Sequence, residues 1–172
     1  MTAEITARNY RVGMWLTLAA VSMMFMGLTS AYVVSQGLGP AWQQIHLRPL
    51  VWLDTAILLL SSLAMEQARR RVKAHAPALK AVALTLALGL LFLAGQSGVF
   101  YQLAQEGYYL NTGRQSSFYY VLTGLHGAHV LGGILALSCI AARMTYLRIE
   151  AVSRYWHFMG GLWLYLLVVF FA

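Results

Sequence analysis

Two histidines, His126 and His129, stand three residues apart within Thr123-Gly124-Leu125-His126-Gly127-Ala128-His129-Val130, in the middle of the apolar run from Ser117 to Ala142. A third, His157, is flanked by aromatics in Tyr155-Trp156-His157-Phe158, where the last apolar run begins. Imidazole at membrane depth serves either as an axial ligand to haem or metal, or as a neutral hydrogen-bonding group between helices. Residues i and i+3 of a helix share a face, so His126 and His129 project the same way as Thr123 and cannot occupy opposite faces of one iron. His157 lies about two residues inside its apolar run and His126 some seventeen from the corresponding end of its own, which predicts an axial offset of roughly 20 Å. His46 and His75 fall in loops on opposite sides, and Cys139 is the only cysteine. No copper or zinc cluster can be assembled from that set. The expectation is a chain that holds no cofactor itself and whose histidines bond across helices to Gln96, Ser97 or Thr123. The competing use is haem ligation shared with another helix.

The elements that position these groups are read from composition. Of 172 residues, 60% are hydrophobic and only 10% charged, far from the soluble average. Five runs approach the ~20 residues that cross a bilayer as a helix: Met14 to Val34, Leu50 to Ala68, Val82 to Ala104, Ser117 to Ala142 and Tyr155 to Ala172. The fold predicted is an all-α integral membrane protein, one transmembrane domain over residues 1–172, built as an antiparallel bundle of five helices with sequential neighbours packed together. Met1 to Val12 is polar and lacks the apolar core of a cleavable signal, so the first span reads as a retained helix.

The net charge of +7 reflects topology rather than nucleic acid. Arg8, Arg11, Arg69, Arg70, Arg71, Lys73, Lys80, Arg143, Arg148 and Arg154 sort to one side, and only Arg48 and Arg114 to the other. This places the N-terminus in the cytoplasm and the C-terminus outside. Aromatics near span ends, among them Trp15, Tyr32, Trp52, Tyr119 and Trp156, read as interfacial anchors. Met14, Met23, Met24 and Met26 read as packing, and Cys139 as a buried small hydrophobe. Gly124, Ala128, Gly132 and Ala136 recur every fourth residue, a stripe that lets another backbone approach. Asp54 and Glu66 lie near opposite ends of the second span, Glu66 beside the arginines that can pair with it. No carboxylate chain crosses the bilayer, and Ser-His-Asp, phosphate-loop and dinucleotide motifs are absent from the sequence.

Taken in order, these strings resemble subunit III of the haem-copper cytochrome c oxidases and related quinol oxidases. Gly13-Met14-Trp15-Leu16 with Ser30-Ala31-Tyr32-Val33 is similar to that family's third helix, and Asp54-Thr55-Ala56-Ile57-Leu58-Leu59 with Ser61-Ser62 to its fourth. Gln96 and the block from Ser117 to Val130 match the fifth and sixth; Glu150 and Tyr155-Trp156-His157-Phe158 match the seventh. The family's first two spans have no counterpart here, as in its short bacterial form. Val21 stands where the third helix commonly carries a glutamate, and Gly160 where the last commonly carries an aspartate.

The resemblance implies a non-catalytic subunit in a bacterial plasma membrane. It implies haem and copper in oxidase subunits I and II, contact with those subunits and with membrane lipids, and phospholipid binding with support of proton uptake. Other respiratory-chain complexes are further partners on this reading. Asp54, Gln96, Thr123, Gly124, His126, Gly127, His129, Gly132, Trp156, His157 and Phe158 then belong to structural and interface motifs rather than to a catalytic centre. An accessory subunit of a quinol oxidase or nitric oxide reductase is the nearest alternative; a b-type haem anchor and a small transporter are the alternatives from other classes. The basic-residue asymmetry makes a direct prediction. A reporter fused after Ala172 is active only on the outer side, and cytoplasmic activity removes the alternating assignment.

Overall fold

The computed structural model describes residues 2–37, 49–141 and 145–171, with side chains from residue 8 onward. Five helices fill them: α1 (Thr2–Gln36), α2 (Pro49–Lys73), α3 (Leu79–Gln105), α4 (Arg114–Ala141) and α5 (Tyr146–Phe171). The first four are long and apolar enough to cross a membrane. α5 matches them in length, but Arg148, Glu150, Arg154 and the Tyr155-Trp156-His157 cluster dilute its apolar character.

The helices outrun the apolar stretches that announce them. The segment from Arg143 to Arg154, expected as an inner loop, is helical from Tyr146 onward, and the Arg154 guanidinium donates to the Glu150 carboxylate one turn back at 2.8 Å. Such i, i+4 pairs and a polar helical face at the membrane boundary let the helix continue where hydropathy falls. α2 closes where Ala76 N–H bonds the Arg71 carbonyl at 2.9 Å and His75 takes φ +54°, with Pro77 following. α3 closes the same way around Gly107 at φ +83°, with Tyr108 N–H on the Leu103 carbonyl. Both ends satisfy carbonyls left over by the last turn.

Directions alternate. α2 and α3 run antiparallel, joined from Asp54 to Gln96 at one end and from Ser61 to the Thr85 carbonyl further along. Tyr32 near the end of α1 meets Phe118 at the start of α4 and Phe170 at the end of α5, so α1 is parallel to α5 and antiparallel to α4. In space, α2, α3, α4 and α5 form a closed square in chain order, and α1 lies in the groove between α4 and α5. α1 and α2, expected to pack as sequential neighbours, do not touch among the described residues. The twelve residues between Gln36 and Pro49 allow this displacement, whereas the five between Lys73 and Leu79 do not. Arg8, Arg11, Lys80, Arg148 and Arg154 on the starts of α1, α3 and α5 share one end of the bundle with Arg69 to Lys73 on α2. Arg114 is at the other end, and Arg48 and Arg143 lie outside the described residues.

Several aromatics expected at the interface are core instead: Tyr32, Tyr119 and Trp156 are each about 2% exposed, while Trp15 and Trp52 do face outward. Met23 and Met26 also face outward and only Met24 packs on the core. Cys139 is exposed rather than buried.

Close approach falls on other glycines than the four-residue stripe. A Cβ at Gly89 would stand 2.9 Å from the Trp156 ring, one at Gly133 would meet the Tyr155 and Trp156 rings at 3.1 and 3.2 Å, and one at Gly95 would overlap the Asp54 carboxylate. Gly124 and Gly132 meet nothing within 4 Å, and Ala128 and Ala136 are exposed. The stripe therefore looks out of this chain, and the seam runs one residue over, through Gly133. Gly133→Leu should destabilise the purified chain by about 1–3 kcal/mol through overpacking, whereas Gly132→Leu should change its stability by under about 0.5 kcal/mol. Thermal unfolding followed by circular dichroism separates the two, and equal losses contradict this assignment of the seam.

Candidate functional site

Of the residues singled out by chemistry, Asp54, Gln96, Thr123, His126 and Trp156 are buried within the four-helix square. On α2, Asp54 is 1% exposed, and its Oδ2 accepts a 2.8 Å hydrogen bond from Nε2 of Gln96 on α3. Gly95, next to Gln96, leaves the space the carboxylate occupies. One turn further along α3, Phe92 sets its ring edge-on to His126 of α4, centroids 5.8 Å apart. Trp163 of α5 stacks on the imidazole at 5.2 Å and 29° and meets Phe92 edge-on at 5.2 Å, so the three rings form a mutually packed cluster. Trp163 in turn donates its indole N–H to the Thr55 hydroxyl at 3.0 Å, and that hydroxyl donates to the Val51 carbonyl at 2.7 Å. Seven residues earlier on the same face of α5, Trp156 donates to the Ser61 hydroxyl at 3.1 Å, and Ser61 donates to the Thr85 carbonyl of α3 at 3.2 Å. Each indole thus reaches α2 through a hydroxyl that is itself satisfied.

The two α4 histidines differ in environment. His126 is wholly buried, and neither ring nitrogen has a hydrogen-bond partner among the described residues. His129 is half-buried, its Nδ1 lies 2.7 Å from the Leu125 carbonyl of its own helix, and its ring meets Phe25 of α1 edge-on at 5.7 Å. The expected bonds from these rings to Gln96, Ser97 or Thr123 are not made. Gln96 is engaged by Asp54, Ser97 donates to the Leu93 carbonyl, and Thr123 donates to the Tyr119 carbonyl at 2.6 Å. Hydroxyls in helices satisfy themselves on the carbonyl one turn back, which withdraws them from interhelical partners.

His157 faces α2, its Nε2 3.7 Å from the Glu66 carboxylate. Glu66 also accepts from Arg69 at 2.7 and 2.8 Å and from Arg70 at 2.8 Å, the local pairing its position predicts. Because His126 is level with Trp163, six residues beyond His157, the two histidines are separated by about 9 Å along the axis rather than 20. The larger figure fails because α5 begins nine residues before its apolar run. The two rings have different surroundings: His157 is turned to Glu66 of α2, and His126 is packed against Phe92 and Trp163. No group of three or more His, Cys, Asp or Glu able to hold a metal ion occurs among the described residues.

The remaining motif residues serve packing. Gly127 takes the Leu93 side chain at ordinary contact distance, and Phe158 lines a groove of about 320 Å³ between α1 and α5 with Ser22, Met26 and Tyr165. Val21 is part of the core, and a Cβ at Gly160 would lie 3.2 Å from the Ser62 hydroxyl, so α2 closes directly over that position. Sequence reasoning missed Trp163, Gly89, Gly95 and Gly133, and set Tyr119 at the interface rather than in the core. The i, i+7 spacing of Trp156 and Trp163 on one face, set against Ser61 and Thr55 six apart on an antiparallel helix, was the available signal for the first.

The indole bonds allow a quantitative test. A double-mutant cycle of Trp163→Phe and Thr55→Val should give a coupling energy of about 0.5–1.5 kcal/mol, the range for interhelical hydrogen bonds in membranes. Additive losses mean that the two groups do not interact.

A family model described as cytochrome c oxidase subunit III matches residues 2–172. The cytochrome c oxidase subunit 3 of Synechocystis sp. is 33% identical, over 91% of this chain and 72% of the relative. The cytochrome bo(3) ubiquinol oxidase subunit 3 of Pseudomonas aeruginosa is 30% identical over 94% and 84%. A Bacillus cytochrome c oxidase subunit 3 is 27% identical over 97% and 87%.

Proposed function

The chain belongs to the cytochrome c oxidase subunit III family, and from that premise we propose that it is the non-catalytic third subunit of a respiratory haem-copper oxidase in a bacterial plasma membrane. Family membership makes it a multi-pass membrane component of a multi-subunit oxidase. The observation that carries the non-catalytic role is the use of the intramembrane polar residues. Asp54, Gln96, Thr55, Ser61, Trp156 and Trp163 make contacts between helices, and His126 is fully buried against the packed rings of Phe92 and Trp163. Chemistry on oxygen then belongs to the haem and copper of subunits I and II, against which this bundle packs. In this reading all five helices cross the bilayer, with the basic end in the cytoplasm, as the charge asymmetry supports.

A groove in the fold supports a lipid-binding role. At the basic end, α1, α4 and α5 enclose a groove of about 660 Å³ whose walls include Met14, Ile140 and Val152, with Arg148 among its lining. An acyl chain suits those walls and a phosphate suits the arginine. Support of proton uptake is indirect, because Val21 and Gly160 leave no acid at those two family positions. The identity of a ubiquinol oxidase relative keeps quinol as the second reading for the electron donor.

Deleting this chain tests the role. Initial oxygen consumption by the oxidase should persist, while the number of turnovers before inactivation should fall several-fold. Loss of all initial activity points to a catalytic part, and an unchanged turnover lifetime removes the supporting role.

A further inference from the structure

The interior of the square carries polar atoms that no described residue satisfies. Gln96 Oε1, the Tyr119 hydroxyl and both ring nitrogens of His126 are buried without a hydrogen-bond partner among the described residues. Elsewhere among the described residues Ser153 Oγ, Gln102 Oε1 and Gln115 Oε1 share this condition, the two glutamines on residues that are only partly buried. Unpaired polar groups in hydrocarbon are costly, and several in one place call for a ligand.

Their spacing identifies it. Phe100 and Tyr119 lie at one level, with ring centroids 6.5 Å apart, and Phe92 and His126 at another, 5.8 Å apart. Gln96 is one turn from both Phe100 and Phe92 on α3, so Tyr119, Gln96 and His126 belong to three successive turns of the bundle, each rising about 5.4 Å. Two hydrogen bonds of about 2.8 Å span the same distance. A water molecule donates and accepts, so it can serve a carbonyl oxygen, a hydroxyl and either imidazole tautomer. Asp54, bonded to Gln96 at the middle level, adds a further acceptor.

We propose that bound water molecules bridge Tyr119, Gln96 with Asp54, and His126, forming a permanent hydration site between α2, α3 and α4. The waters complete what the side chains leave open and tie α4 to the Asp54–Gln96 pair through hydrogen bonds, adding to the ring contacts of Phe92 and Phe100 and to the bond from the Tyr120 hydroxyl to the Phe100 carbonyl. His126 is then a water ligand rather than a metal or haem ligand.

The test uses the full chain in lipid bilayers, labelled with ¹⁵N-histidine, and solid-state NMR transfer of magnetisation from water to imidazole nitrogen. Transfer to the His126 ring at low temperature, where exposed His75 and His157 serve as internal references, is the expected result. Tyr119→Phe supplies the second readout. It removes one water ligand and should lower the melting temperature by about 2–4 °C, while a dry, unsatisfied hydroxyl leaves melting unchanged or raised on removal. Absence of transfer at His126 overturns the proposal, and the NMR experiment on the parent chain needs no substitution that could fail to fold.

Discussion

In hydrocarbon no solvent competes for a hydrogen bond, so a polar side chain buried between helices must find its partner inside the protein. The paired indole bonds of α5, Trp163 to Thr55 and Trp156 to Ser61, answer that constraint and fix the register of α5 on α2. A slip of one residue would turn both indoles about 100° away from their hydroxyls. The rest of the square follows from that register. Trp156 seats on Gly89 and Gly133, which brings in α3 and α4, and Trp163 stacks on His126, which sets the rotation of α4.

α1 is attached differently. Phe25 meets His129 edge-on, Tyr32 meets Phe118 and Phe170, and the Thr29 and Tyr165 hydroxyls share a hydrogen bond of 2.7 Å. Its outward face shows Trp15, Leu16, Met23 and Met26, and grooves open on either flank of its junction with α5. The molecule thus divides into a square held by buried hydrogen bonds and a peripheral helix that borders both grooves. That division fits a subunit whose work is to pack and to shape its surroundings.

Much of this was legible in the sequence, and for identifiable reasons. Apolar runs of the right length predict helices, because lipid admits few other structures, and the basic residues predict which ends lie together. The His-containing strings were specific enough to indicate the family. Depth was harder to read. The first two turns of α5 are polar yet helical, so an apolar run is a poor ruler for where a helix starts, and the separation of His126 from His157 was overestimated for that reason. The four-residue stripe pointed to the wrong face because small residues permit close approach without demanding it. What decides is the bulk opposite, here the rings of Tyr155 and Trp156 against Gly133, and that pairing exists only in three dimensions. Asp54 lies near one end of its span, and its position in sequence does not reveal its burial, which depends on Gly95, forty-one positions away.

The central claim is that this chain is a structural subunit of an oxidase whose redox centres lie elsewhere. Native mass spectrometry of the complex extracted from its own membranes, recorded with a visible spectrum, tests it most directly. The account predicts one copy of this chain with a haem-bearing catalytic subunit, and, after the complex is split, a colourless fraction containing this chain. A haem band that follows this chain in equimolar amount, or extraction without any oxidase subunit, would contradict it.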